Sequence, residues 1–491
     1  MAIDPVRAGQ VRDEPTEPTE HLDGETRDGP DGPDGPDGRA PLWVSVLTVV
    51  LGVLASGYVA QVVTPFIRRD DWPYMLPVHT PGGSDVWHKN LTEGRWLNYA
   101  WWLVVGQHET PVVASVLYAL AYGFFVVGFV RLFAVRGRVA AGLLALAVFA
   151  SALWERLVYW PATLTPSVIV AALAVWSLPR ASTTRVRLGV WMGLATVLCV
   201  LTYPPMAPVV LVAVLVHLRE RSWRSTMGVC AVFVVVYGVG ILTIYVLNWI
   251  AFRHFGIRIA AWRHPNTAHS LHDLVVNARR FVGDMRSLLK ALGWATLVVG
   301  GALGVVALLD RRTRGPWLRV LAGLAVVFAL GGAQTVLTGV TTNPRGLLWS
   351  WLLAVVPAGL LLASEAWARW VGVVALAVLS LIGLLQWRAD IAAHQQTRRE
   401  YAAIVDAAVA AQQRTGIRDV VLYQDPVQRR TAAGGITAGT IQMMLYEYGG
   451  IVTHWCSTAQ CSELKTQSAA GPVVPIDGAI GVIVPKPASW L

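Results

Sequence analysis

Residues 227–249 read MGVCAVFVVVYGVGILTIYVLNW, 23 positions without one charged side chain. That length matches the roughly 20 apolar residues a helix needs to cross the hydrocarbon core of a bilayer. Similar stretches occur at about 42–65, 111–134, 138–154, 162–178, 188–203, 205–218, 292–309, 318–338, 347–363 and 370–387. Together they give about eleven expected spans. The composition agrees: of 491 residues, 55% are hydrophobic and 14% charged, and the mean hydropathy of +0.51 excludes an ordinary soluble domain. The fold class expected is therefore an all-α polytopic membrane protein.

The loops between these spans carry the orientation. Arg131, Arg136, Arg138, Arg180, Arg185, Arg187, Arg219, Arg221, Arg224, Arg311, Arg312, Arg314, Arg319 and Arg369 fall on one side. The short turns opposite hold only Arg156 and Arg345. The positive-inside rule puts the arginine-rich side and the N-terminus in the cytoplasm, and an odd span count puts the tail outside. The net charge of +10 then reflects topology and not a nucleic-acid footprint. Many of the 22 tryptophans sit at segment ends, as interfacial anchors do.

Three parts follow from this pattern. Residues 1–40, with the run DGPDGPDGPDG, bury no core and are expected to be a disordered cytoplasmic tail without a cleavable signal. Residues 41–387 form the membrane domain, with outside stretches at 68–110 and 250–291. Within the second stretch, Ile257, Ile259, Trp262, Leu274, Val275, Phe281, Met285, Leu288 and Leu289 supply the apolar side of amphipathic, interfacial helices. Residues 388–491 form a small extracytoplasmic α/β domain: a polar helix at 389–415, strand-like 417–423, a helix at 437–448, and strand-like 451–455 and 479–484. Ile391, Ala402, Ile404, Val405 and Ala408 are the apolar positions of its first helix. Cys199 and Cys230 lie inside apolar spans as packing residues. Cys456 and Cys461 are close enough to pair in an oxidising compartment, or stand as two free thiols.

The chemistry-bearing stretch is 68–99, RRDDWPYMLPVHTPGGSDVWHKNLTEGRWLNY, at the outer mouth of the first span. The spans contain no Asp or Glu, and their arginines lie only at the ends. Ion-coupled transporters need ionisable groups at mid-depth, so this pattern favours a site at the interface instead. Adjacent residues in an extended loop point opposite ways. Of Asp70 and Asp71, one carboxylate is then expected at the site, with the other holding an arginine or a helix end. The alternative is that both merely order the loop by pairing with Arg68, Arg69 or Arg95. Transfer of a sugar from a phosphate-linked donor needs one base for the acceptor hydroxyl. It also needs cations for the phosphate, to which arginine is matched by bidentate hydrogen bonds. Arg345, Arg95, Lys89 and His88 are the candidates. Glu155 and Arg156 read as a local ion pair, and Asn90-Leu-Thr as a chance glycosylation pattern. No His-Glu-x-x-His, Cys-x-x-Cys, Walker loop or dinucleotide fingerprint occurs.

RDDW (69–72), EGRWLNY (93–99), TYPP (202–205) and NPRGLL (343–348), with the polar helix 389–415 leading into VVLY, carry a resemblance. The chain resembles the GT-C glycosyltransferase superfamily, most closely the serotype-converting O-antigen glucosyltransferase (Gtr type II) family. Its members are multi-span proteins that move a sugar from a polyprenyl-phosphate donor to an extracytoplasmic glycan. The resemblance implies Asp70 or Asp71 as catalytic base. It implies Arg69, Trp72, His88, Lys89, Arg95, Tyr203 and Arg345 as substrate-binding residues. The family often has Gln after the tyrosine of TYPP, where this chain has Pro204. No cofactor is expected, and a divalent metal is compatible with the aspartates but not required where arginines serve. The implied partners are a polyprenyl-phosphate-linked sugar, a cell-envelope glycan or glycolipid acceptor, and membrane lipids, with no nucleic acid. The implied location is a bacterial inner membrane. A lipid-linked-sugar flippase is the alternative.

Overall fold

A computed structural model describes residues 40–76, 85–218, 222–260, 263, 265–469 and 471–488. Residues 1–39 of the expected N-terminal tail, Arg219, Arg221 and Trp262 lie outside them. The described chain is mostly helical, with one small sheet.

The first apolar segment forms two helices, α1 (Leu42–Ala55) and α2 (Tyr58–Val63), because Gly57 between them adopts a left-handed φ of 74°. A loop carrying Asp70 and Asp71 follows. Next come α3 (Val86–Glu93), capped by the Asp85 side chain and stopped at left-handed Gly94, and α4 (Trp96–Val104). The bundle continues with α5 (Pro111–Arg131), α6 (Arg138–Phe149), α7 (Pro161–Ala181), α8 (Arg185–Thr202), α9 (Ala207–His217) and α10 (Trp223–Phe252). Then come α11 (Leu271–Leu292), α12 (Trp294–Leu309), α13 (Arg314–Thr338), α14 (Leu352–Leu361) and α15 (Ala366–Thr415).

Among the described residues, seven helical segments are long and apolar enough to cross a membrane, or eight if α11 and α12 count as one bent span. This is a polytopic membrane protein. Of the eleven segments expected from sequence, 42–65, 138–154 and 205–218 correspond to shorter apolar helices of 10–17 residues, and 292–309 to the second arm of the bent pair. The outer surface supports a lipid setting: on α10, Val235, Leu242 and Trp249 are 64%, 52% and 52% exposed, a pattern unfavourable in water and matched in hydrocarbon.

The pair α11–α12 bends by 95° at Gly293, whose φ of 77° favours glycine. Helix α11 starts on a capping box between Ser270 and Asp273 and buries Asn277, Asp284, Leu288 and Leu292. It is the amphipathic helix anticipated in 250–291. Glu155 is buried and Arg156 exposed, and no ion pair joins them among the described residues.

One correction concerns the last span. Residues 370–387 and the polar stretch 389–415 belong to the same 50-residue helix, α15. No Gly or Pro interrupts residues 384–415, so nothing ends the helix before left-handed Gly416. An aromatic stack fixes α15 to the bundle. Tyr122 lies 4.5 Å from Trp154, Phe149 lies 5.0 Å from Trp387, and the Trp387 indole donates to Ser151 O at 2.8 Å. Such ring pairs each contribute about 0.5–1.5 kcal/mol beyond area burial.

Beyond α15 come β1 (Val420–Tyr423), α16 (Pro426–Arg429), α17 (Ala432–Gly449), β2 (Thr453–Trp455), α18 (Thr458–Gln467), β3 (Val473–Ile476) and β4 (Ala479–Ile483). The sheet order is β2-β1-β4-β3, with β1 parallel to both neighbours and β3 antiparallel to β4. Strands β1, β2 and β4 and helix α17 match the sequence expectation; α16, α18 and β3 are additions. Cys456 and Cys461 form a disulfide.

Candidate functional site

The two aspartates at the mouth of the first span separate completely. Asp71 is fully buried and caps the start of α7 from a distant segment: Oδ1 accepts from the Thr163 amide at 2.7 Å and Oδ2 from the Ala162 amide at 3.0 Å. Those amides are among the four that a helix start leaves unpaired. Burial pushes the Asp71 carboxyl up to about 7, against the pull of the two hydrogen bonds.

Asp70 points the other way and keeps solvent access. Its Oδ1 accepts from the Trp160 indole at 2.6 Å, and the Lys89 ammonium donates to its backbone carbonyl at 2.6 Å. Burial opposes ionisation of Asp70, but Lys89, Arg345 and the Trp160 hydrogen bond together outweigh it and hold the carboxyl below the usual range.

Cations surround this carboxylate. The Arg345 guanidinium lies 4.3 Å and that of Arg68 4.9 Å from the Trp160 ring centre. Burial and then the neighbouring Arg345 lower Arg68 to about 10. Arg95 pairs with Glu93 at 3.2 Å and stands 5.4 Å from the Tyr203 ring. The Tyr203 hydroxyl donates to the Arg345 carbonyl at 3.3 Å, which ties the turn after α8 to the turn before α14. Lys89 also stands 4.6 Å from the Tyr74 ring. Arg263 is within electrostatic reach of Glu93, Arg95 and Arg345. Arg68, Lys89, Arg95, Arg263 and Arg345 against Asp70 and Glu93 leave an excess of positive charge in an open cluster. Such a cluster suits an anion beside one ionised carboxylate.

Of the residues expected at the site, Asp70, Lys89, Arg95, Tyr203 and Arg345 converge here. Asp71 serves the start of α7. Arg69 turns away and donates to Gly435 O on α17 at 2.9 Å. Trp72 is buried, with its ring edge-on to Tyr448 at 6.3 Å. His88 is exposed and bound to Asp85 at 2.6 Å. Trp160, Glu93, Arg263 and Arg68 were not among the expected site residues. Trp160 stands 90 positions from Asp70, and its one local signal is its place before Pro161 at the start of α7. Among the described residues, no group of three or more metal-ligating side chains forms.

No family model matches the chain, and no curated protein or solved structure is detectably similar to it.

Proposed function

We propose that the protein is a membrane glycosyltransferase of the GT-C type, most like the serotype-converting glucosyltransferases in its short motifs. It moves a sugar from a polyprenyl-phosphate donor to an extracytoplasmic glycan or glycolipid of a bacterial cell envelope. The observation that carries this reading is the Asp70 carboxylate, fixed by Trp160 and ringed by an excess of guanidinium and ammonium groups. In the proposed reaction Asp70 removes the acceptor hydroxyl proton, and the acceptor oxygen bonds to the anomeric carbon with inversion. The bond from that carbon to the phosphate oxygen breaks, and the phosphate leaves with its charge balanced by Arg345 and Arg68. Asp71 takes no chemical part. In this reading the arginine-rich loops face the cytoplasm, the shorter apolar helices complete the bilayer domain, and the Asp70 cluster and sheet domain face outward.

The test uses membranes carrying wild type, Asp70→Asn or Asp71→Asn, given radiolabelled polyprenyl-phosphate glucose, arabinose or mannose. Label reaching glycan with wild type and lost with Asp70→Asn supports the proposal; full transfer by Asp70→Asn removes Asp70 as the base. Movement of intact lipid-linked sugar across liposomes, without cleavage, would establish a flippase instead.

A further inference from the structure

Next to Arg68 lies a second polar group that the proposed reaction does not use. Helix α15 contributes Asp390 and His394; the 158–160 turn contributes Tyr159. The Tyr159 hydroxyl donates to Asp390 Oδ2 at 2.7 Å, and its ring stacks on the His394 ring at 3.6 Å. His394 is buried. Its Nδ1 lies 2.8 Å from the Asp390 carbonyl, and its Nε2 lies 3.5 Å from the Arg68 guanidinium.

The proton positions follow from donor inventory. A guanidinium only donates, so Nε2 is the acceptor; Nδ1 then carries the hydrogen and gives it to the carbonyl. His394 is therefore a neutral imidazole with a fixed tautomer. Arg68 is further aimed by its own amide, which donates to Tyr159 O at 3.0 Å.

The geometry points to His394 as a positioning residue: a charge-neutral tether that aims Arg68 at the face of Trp160 without adding a negative charge of its own. A carboxylate at the same place would hold Arg68 equally well but would cancel the charge an anionic ligand needs. Asp390, the nearby carboxylate, accepts from Tyr159 at 2.7 Å, lies 3.5 Å from His394 Nδ1 and is within electrostatic reach of Arg68. This inference rests on the donor-phosphate reading above and adds how its cation is kept competent.

The experiment titrates farnesyl phosphate into the purified full chain in detergent by calorimetry. Wild type binds. His394→Gln, whose carbonyl accepts from Arg68, binds within about threefold of wild type. His394→Leu loses that partner, and His394→Glu neutralises Arg68; each weakens binding roughly tenfold or more, the scale of one hydrogen bond to a charged group. Gln and Glu share a shape and differ in charge, so their contrast stands even where the Leu variant does not fold. Equal affinity of the Gln and Glu variants overturns the tether. If wild type transfers sugar while every His394 variant binds alike, the tether fails alone. If wild type neither transfers sugar nor binds farnesyl phosphate, the donor reading fails and the tether with it.

Discussion

Replacing Asp71 by Asn separates structure from chemistry at two adjacent carboxylates. Wild-type Asp71 accepts two amides of the first turn of α7 at 2.7 and 3.0 Å from a fully buried position. Asparagine keeps one carbonyl acceptor but turns an NH2 group toward the other amide. One hydrogen bond, of about 0.5–1.5 kcal/mol, is lost, and a buried donor left facing a donor costs about 1–3 kcal/mol more. The expected destabilisation is about 2–4 kcal/mol, read as a drop of several degrees in the unfolding temperature of detergent-solubilised protein. The pH dependence has a fixed sign. Because the folded carboxyl is raised to about 7 from 3.8, its contribution is fully present below the lower value and declines as pH rises through the higher one. The gap between wild type and Asp71→Asn is therefore widest below about pH 4 and narrows as pH rises to about 7. Asp70→Asn, at a solvent-accessible position, leaves the unfolding temperature nearly unchanged and abolishes transfer. A stable but inactive Asp71→Asn protein would refute the assignment of Asp71 to the helix start.

Arg345→Ala is expected to raise the donor KM by about tenfold or more, and Arg345→Lys to restore only part of it, because an ammonium does not reproduce the planar fork; steady-state kinetics with varied donor decide it. Asp70 is held below the ordinary carboxylate range by Lys89 and Arg345 against burial, so it stays ionised through neutral pH and the acid limb of kcat/KM lies below that ordinary range. Donor phosphate partly neutralises those cations, so the acid limb of kcat falls at higher pH than that of kcat/KM; coincident limbs count against the mechanism. A Cβ at Gly439 would overlap the Arg69 side chain. Gly439→Val is thus expected to loosen α17 and speed its proteolysis, and Arg69→Ala to relieve that defect in a double-mutant cycle.

The sequence carries the bundle well where charge and apolar length coincide, as at Trp223–Phe252 and Pro111–Arg131. It is ambiguous where backbone geometry decides. Gly57 splits an apolar segment that reads as one span, and α15 continues past Arg388, where polarity changes but helix propensity does not. At the site, the sequence anticipates that Asp70 and Asp71 part company, although the structure does this with a turn, in which the Asp71 amide donates to Arg68 O, and not with an extended loop. It does not say which faces the cations, because that depends on α7 arriving beside the loop. Trp160 and His394 are invisible for the same reason: one reads as an interfacial tryptophan, the other as a polar residue on a solvated helix. Only tertiary packing brings either to Arg68. His88 reads as an inward companion of Lys89, but the next position on a helix lies about 100° away, and Asp85 draws it outward.

The uninterrupted course of α15 has a mechanical consequence. A 50-residue helix is a rod about 75 Å long at a rise of about 1.5 Å per residue, without a joint where it passes from apolar to polar residues. Gln395 near its middle is hydrogen-bonded to Gln61 and Thr64 at the end of α2. The rod is thus braced near its midpoint, like a lever on a fulcrum, and the fulcrum adjoins the Asp70 loop. A change of 10° in the tilt of the membrane half swings the far end of the polar half by about 6 Å, taking ~1.5 Å per residue over that half. Any change in that tilt, which packing in the bundle and bilayer thickness set together, thereby carries over to the position of the sheet domain.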